Sequence, residues 1–491
     1  MPLEIELKLA LDRGHGPRLR RHPLLAGIKP RHDKLHSVYF DTPGFELMRR
    51  GIALRLRRVG YHRVQTLKAE APAVGAMASR PEWEVPVAGG EPDFAVMPPE
   101  ALALLAGIDL SRVAPVFATE FRRTTWLLQT EGGVAELALD DGAILAGEAS
   151  QPISELEIEL KSGRPEILFD LARTLLDELP LRVEPRAKAE RGYLLREAVA
   201  PAPTRAEPPD IHAGQAAGEA RLAVIRAALA QLVANVPGFL EHPEDIEYLH
   251  QLRIALRRLR AAVGLGKSLG VSRPAWSDAL GEIMRGLNPA RDWDVFLHET
   301  LPSVQAALGD VPVGDEFQSR ARHAALLARQ SAQASIASPA FTRLVLDIGE
   351  TLHATHPEGV RADAWSAQLL EERWKKLRAL CRKLSGLGPG GRHEARIAAK
   401  KLRYAADALA GLYGKRGGRF VKRLAALQDG LGRANDAYIA TRLLEDLRRK
   451  NLALAYDAGR VSGVMSERVA HHGRESDALW RRMAKTRRFW R

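Results

Sequence analysis

Glu4-Ile5-Glu6-Leu7-Lys8 alternates charge with hydrocarbon at every step, and Glu155-Leu156-Glu157-Ile158-Glu159-Leu160-Lys161 does the same far downstream. In an extended chain successive side chains point to opposite faces. Glu4, Glu6 and Lys8 therefore share one face, and Ile5, Leu7 and Leu9 the other. Carboxylates two apart on one strand repel unless water, a cation or basic neighbours compensate. Other alternating stretches supply such neighbours: Arg55 and Arg57 stand against Leu54 and Leu56, and Lys68 against Leu67. Glu82 and Glu84 stand against Trp83 and Val85, and Glu136 and Asp140 flank Leu137 and Leu139. A single strand of this kind is compatible with one solvated sheet face. Five of them carrying both signs favour a sheet curled so that the charged face lines a lumen. Such a lining suits a polyanion with a divalent cation, the chemistry of phosphoanhydrides.

At 491 residues the chain is too long for one compact core. Its 46% hydrophobic and 27% charged content is that of a globular protein. No run of 18 uncharged apolar residues occurs, which argues against a membrane span, and no basic-then-apolar leader opens the sequence. One cysteine, Cys381, excludes an internal disulfide framework, so a cytoplasmic location is expected. The net charge of +13 is uneven, −2 over residues 1–200 and +15 over the rest. The second half is therefore expected to meet an anion.

Residues 1–197 read as α+β with mainly antiparallel strands, interrupted by helices near Glu100–Ala106 and Pro165–Glu178. Residues 198–214 are Ala/Pro-rich and read as a linker. From 215 to 491 Ala, Leu and Arg recur at helical spacing, an all-α region. That region is duplicated, over about 215–350 and 360–491. His250, Arg253, Arg257, Arg258 and Arg260 reappear 143 residues later as His393, Arg396, Lys400, Lys401 and Arg403. Leu287, Ala290, Asp292 and Val295 return at an offset of 144 as Leu431, Ala434, Asp436 and Ile439. At about 100° per residue, His250, Arg253, Arg257 and Arg260 fall in one arc of roughly 80°, and their counterparts in another, with Arg258 on the flank. Neither stripe is read as having carboxylates at i+3 or i+4 to relieve the repulsion, so an anion bridging both would relieve it. Asp292, Asp294 and Asp436 are expected to orient the basic residues rather than bind metal. Both stripes lack Trp and Phe, which disfavours nucleic acid and favours a phosphate chain without bases.

With these residues in place, the first part resembles the CYTH, or triphosphate tunnel metalloenzyme, superfamily. Glu4/Glu6/Lys8 stand as its ExExK signature. Tyr39-Phe40-Asp41-Thr42, Arg55/Arg57, Lys68, Glu82/Glu84 and the strand 155–161 follow in family order. Lys188 and Arg191-Gly192-Tyr193 close it, with Ala187 where the family usually has Ser. The second part resembles the CHAD domain, a helical module linked to inorganic polyphosphate. The fusion is similar to bacterial inorganic triphosphatases of CYTH–CHAD type. The resemblance implies a closed antiparallel eight-stranded β-barrel, a tunnel in which triphosphate is hydrolysed with Mg²⁺ or Mn²⁺, followed by duplicated helical bundles. Glu4, Glu6, Glu157 and Glu159 are then the expected metal ligands, with Glu155 a weaker choice. Lys8, Arg55, Arg57, Lys68, Arg122 and Lys188 are expected on the phosphate oxygens. Lys8, Glu4 and Glu6 form the expected catalytic group. His250, Arg253, Arg257, Arg258, Arg260, His393, Arg396, Lys400, Lys401 and Arg403 are expected to bind polyphosphate. The alternatives are an organic triphosphate hydrolase acting on thiamine triphosphate, an ATP cyclase, or a polyphosphate-granule protein with little catalysis.

Overall fold

A computed structural model describes residues 3–69, 77–197, 201–353, 359–382, 384, 387–450 and 452–491. The chain divides into two compact units. The first takes in residues 1–204, 229–242 and 337–354, and the second 205–228, 243–336 and 355–491.

The first unit is built on nine strands: β1 (Leu3–Ala10), β2 (Arg31–Asp41), β3 (Ile52–Val59), β4 (His62–Ala69), β5 (Met77–Val87), β6 (Ala114–Thr130), β7 (Gly133–Ala146), β8 (Ala149–Gly163) and β9 (Arg182–Val183). They form one antiparallel sheet in the order β5-β4-β3-β2-β6-β7-β8-β1-β9, with a further pairing between β5 and β1. The closed eight-stranded barrel expected from the sequence is thus corrected to a nine-stranded antiparallel sheet. The physical reason lies in β1. One edge pairs with β8 over Glu6–Ala10, while the other is divided between β5 over Leu3–Leu7 and β9 over Leu9–Ala10. A two-residue ninth strand therefore occupies ground that a simple eight-stranded closure would give to β5.

Both sheet faces are covered. Leu54, Leu56, Leu67 and Trp83 pack with Met97, Ala101, Leu105 and Ile108 from the segment that includes the Pro99–Leu104 helix. Fully burying such side chains contributes about 1.5–3 kcal/mol each. The helix Glu166–Leu176 packs on β1, β7 and β8 and buries Leu168 and Leu175, while its Phe169 ring lies against His353, 5.7 Å between centroids. Both helices expected in this region are present. The opposite face, which holds Glu6 (4% exposed) and Lys8 (7%), is also withdrawn from solvent. A freely solvated charged face is therefore excluded.

The closing motif of this unit is structural. The Tyr193 hydroxyl donates to Asp41 Oδ2 at 2.9 Å, and Asp41 accepts from the Thr42, Leu47 and Met48 amides. Asp41 thereby caps the short helix Glu46–Arg49. A Cβ on Gly192 would lie 2.1 Å from the Phe117 ring, so only glycine fits. Residues 201–212 carry no helix or strand.

The second unit is built mainly from helices among its described residues. Ile246–Gly266 and Pro389–Leu409 carry the two basic stripes and bury Leu252, Ala255, Leu256 and Leu259 in one copy and Ala395, Ala398, Ala399 and Leu402 in the other. Cys381 is buried, which pushes its thiol up to about 12. The stretch Ala217–Glu241 is long and apolar enough to cross a membrane, but 78% of its apolar window is buried, as in a core helix.

Candidate active site and a second anion cavity

Pairing across the sheet gathers the charged residues. Glu6 faces Glu159, Lys8 faces Glu157, Tyr39 faces Arg55, and Lys68 faces Glu82. They line a cavity of about 490 Å³ with Arg31, Asp33, Arg57, Glu84, Arg123, Glu136, Lys161, Ala187 and Lys188. Eight cationic side chains and eight carboxylates line it in all. Glu4, Glu6, Lys8, Arg55, Arg57, Lys68, Glu157, Glu159 and Lys188 are thus brought together as the sequence suggested.

Arg122 is not among them. It is exposed, and Arg123 lines the cavity instead. On a strand a shift of one residue reverses the face. The register that pairs Arg123 with Asp33 and Asp140 fixes which of the two arginines points inward. Glu155, the weaker ligand choice, is buried and held by Lys188 and by Arg191 at 2.9 Å, which makes it a support for those cations.

Charge inside the cavity is separated. Lys188 Nζ lies 2.7 Å from Asp140 and 2.9 Å from Glu157 and also contacts Glu155, and Arg123 bonds both Asp140 and Glu157. Against the cost of burial, Lys188, Arg123 and Lys8 hold Glu157 well below the usual carboxylate range. Asp140, Glu155 and Glu157 bring oxygens within 4.8 Å of one another, close enough for a metal, but Lys188 already supplies a cation there. Glu159 is different. Burial raises its pKa, Lys161 at 2.7 Å offsets this in part, and Glu4 and Glu136 raise it further. Lys161 is shared there between Glu159 and Glu136, which lies 3.7 Å from it. Across the cavity the imbalance reverses. Arg57 forms no ion pair with any described residue, and its Nε is buried without a hydrogen-bond partner. Burial and its neighbours Arg55 and Arg123 lower its pKa to about 10. Burial would raise the Tyr39 phenol, yet Arg55, Arg57 and Lys188 hold it below its ordinary value. Tyr39, Arg123, Glu136 and Lys161 are not assigned as site residues from the sequence, although Tyr39 stands in the motif that carries the resemblance and Glu136 and Lys161 in alternating charged stretches; the sequence alone leaves the register open.

The helical unit has its own cavity, of about 960 Å³. His250, Arg253, Arg257 and Arg260 from one stripe meet Arg396 and Lys400 from the other, so the repeats converge on one space. Arg273, Arg285 and Arg291 add to them, giving eight cationic side chains against four carboxylates. Burial, with Arg257 and Arg291 adding to it, lowers Arg253 to about 10. Arg258, His393, Lys401 and Arg403 do not line this cavity. Arg403 pairs one turn on with Asp407 at 3.5 Å, and Arg258 also lies in the field of Asp407. His393 and Lys401 are exposed. Asp292 lines the cavity and Asp294 pairs with Arg329; the side chain of Asp436 lies outside the described residues.

The chain thus combines a charge-lined antiparallel sheet with helices that share a cationic cavity. The chain matches the CYTH domain family over residues 2–193 and the CHAD domain family over residues 223–445. It is a CYTH domain fused to a CHAD domain. Over 194 residues, 39% of this chain, it is 37% identical to the inorganic triphosphatase of Haemophilus influenzae. That alignment spans 54% of the relative, about half its length. An uncharacterised protein of Mycobacterium tuberculosis is 26% identical over 410 residues, 76% of each chain. The crystal structure of the CHAD domain from the plant Ricinus communis aligns with a TM-score of 0.53 at 30% identity, covering 58% of this chain and 98% of that one.

Proposed function

We propose that the sheet cavity binds inorganic triphosphate with a divalent cation, Mg²⁺ or Mn²⁺, and hydrolyses it, while the helical cavity holds inorganic polyphosphate. The observation that carries this reading is the separation of poorly compensated charge within one cavity: burial, with Glu4 and Glu136, disfavours the Glu159 carboxylate despite Lys161 on one side, and burial, with Arg55 and Arg123, disfavours the Arg57 guanidinium on the other. Together, a cation and a polyanion relieve both. The relative's activity and the matching CYTH domain support the same reading.

Glu4, Glu6, Glu157 and Glu159 would hold the cation, an oxygen set that suits a hard ion. Bound there, it would neutralise phosphate oxygens and lower the pKa of a coordinated water. Arg55 and Arg57, with Lys8, Lys68, Lys188 and Arg123, would take phosphate oxygens, withdrawing charge as the bridging bond breaks. Lys8 lies 3.7 Å from Glu157 and 3.9 Å from Glu6, between the two sets. Tyr39 is the one aromatic residue among the described lining, and one face of its ring is taken by Phe117, stacked at 4.6 Å between centroids. This favours an inorganic substrate over thiamine triphosphate or ATP. A cytoplasmic location, with access to polyphosphate granules, follows from the reading.

Orthophosphate release from tripolyphosphate should require Mg²⁺ or Mn²⁺ and exceed release from thiamine triphosphate and ATP. Glu159→Gln should remove the rise in melting temperature that the metal gives the wild type. A carboxylate with a raised folded pKa costs stability above its unfolded pKa, and that cost fades as pH falls through the folded value. The metal-free variant should therefore melt slightly higher at neutral pH. Equal metal-induced shifts in both proteins would remove Glu159 from the ligand set.

For the helical cavity, Arg253→Ala combined with Arg396→Ala should weaken polyphosphate binding by on the order of a hundredfold and flatten its salt dependence. Arg258→Ala should leave it unchanged. Comparable losses from both variants, measured by calorimetry at fixed salt, would contradict the cavity assignment.

A further inference from the structure

We infer that Glu241 is a positioning residue for the sheet cavity, acting through Arg186 on Lys188, so that a residue inside the CHAD match tunes the phosphate pocket. The inference rests on the triphosphate reading of that pocket. The compact unit containing the sheet also takes in residues 229–242 and 337–354, both within the stretch that matches the CHAD family. Arg186 is 7% exposed and lies between two carboxylates. Its Nη1 and Nη2 donate to Glu241 at 2.9 and 2.6 Å, and its Nε and Nη2 to Glu184 at 3.0 Å each. A bidentate guanidinium–carboxylate pair fixes orientation as well as distance. Glu184 and Arg186 lead directly into Ala187 and Lys188, both in the cavity wall. Lys188 in turn is the counter-charge for Asp140, Glu155 and Glu157. If the approach to Lys188 loosens, those carboxylates lose part of their compensation and the wall becomes more negative, to the disadvantage of a polyanion.

A second contact of the same segments serves as the control. Arg173 donates to Glu350 at 2.9 Å through both Nη atoms, from the helix Glu166–Leu176 to the helix Pro339–Thr351, without touching the cavity lining. In the full chain, Glu241→Gln should raise the KM for tripolyphosphate on the order of tenfold with little change in kcat, and weaken metal-free tripolyphosphate binding by a similar factor in calorimetry. Glu241→Asp should recover part of both. Glu350→Gln should match its loss of melting temperature and leave KM and Kd unchanged. If Glu241→Gln binds tripolyphosphate as the wild type does, or if Glu350→Gln weakens binding equally, the positioning role is wrong. A wild type that neither binds nor cleaves tripolyphosphate would instead refute the underlying reading.

Discussion

Arg57→Ala is expected to separate function from stability. The variant should lose on the order of a hundredfold in kcat/KM for tripolyphosphate, the loss typical when one preorganised charge donor is removed from a site. Its unfolding free energy should hold or rise by about 1 kcal/mol, as when a strained functional group is removed. The Arg57 Nε is buried without a hydrogen-bond partner, and the Arg55 and Arg123 guanidinium groups stand beside it. Such a cation is a burden to the empty protein and an asset only when an anion arrives. Arg57→Lys should recover little, because a point charge cannot reproduce the guanidinium fork. With the pKa at about 10, triphosphate binding by the wild type should weaken as pH approaches that value. Denaturant melts alongside steady-state kinetics measure both halves. A variant that loses stability in proportion to activity would show that Arg57 is a structural cation after all.

Lys188→Ala should do the opposite and break the fold's electrostatic balance. Its ammonium serves Asp140, Glu155 and Glu157, all largely withdrawn from water. Removing one partner of a buried charge cluster costs about 3–5 kcal/mol, because Arg123, Arg191 and Lys8 are then left to compensate three largely buried carboxylates. The pH dependence distinguishes this cause from a simple cavity. In the wild type Glu157 has a depressed folded pKa, so its contribution is present above the unfolded value and is lost as pH falls through the folded one. In the variant the penalty should shrink as pH falls from 7 towards 5. Chemical denaturation at several pH values tests this; a penalty that does not vary with pH would point to lost packing instead.

The parts of this design with a strict period were legible in the sequence. Two-residue alternation announced the charged face of β1, β3 and β8, and the repeated basic helix announced the second cavity. What resisted reading was register and small scale. Nothing local distinguishes Arg122 from Arg123, since only pairing with Asp140 decides between them. Strand β9 has two residues, too few for a pattern, yet it alters how β1 is bordered. Arg403 lies in the predicted arc but is claimed by Asp407 one turn further on. Asp41 and Gly192, prominent in the resemblance, serve a cap and a tight approach to Phe117. Arg186 gave no signal because its partner lies 55 positions away.

Much of the hydrocarbon of the sheet unit sits outside its charged hollow, under the Pro99–Leu104 and Glu166–Leu176 helices, while a second apolar cluster reaches the hollow's wall through Leu35, Tyr39, Ala53 and Ala189. This inverts the usual vulnerability of a small domain. Stripping away either helical cloak uncovers a greasy outer hull while the ionic interior keeps its backbone ladder. Partial damage should then show first as sticking between molecules, before the hollow itself comes apart.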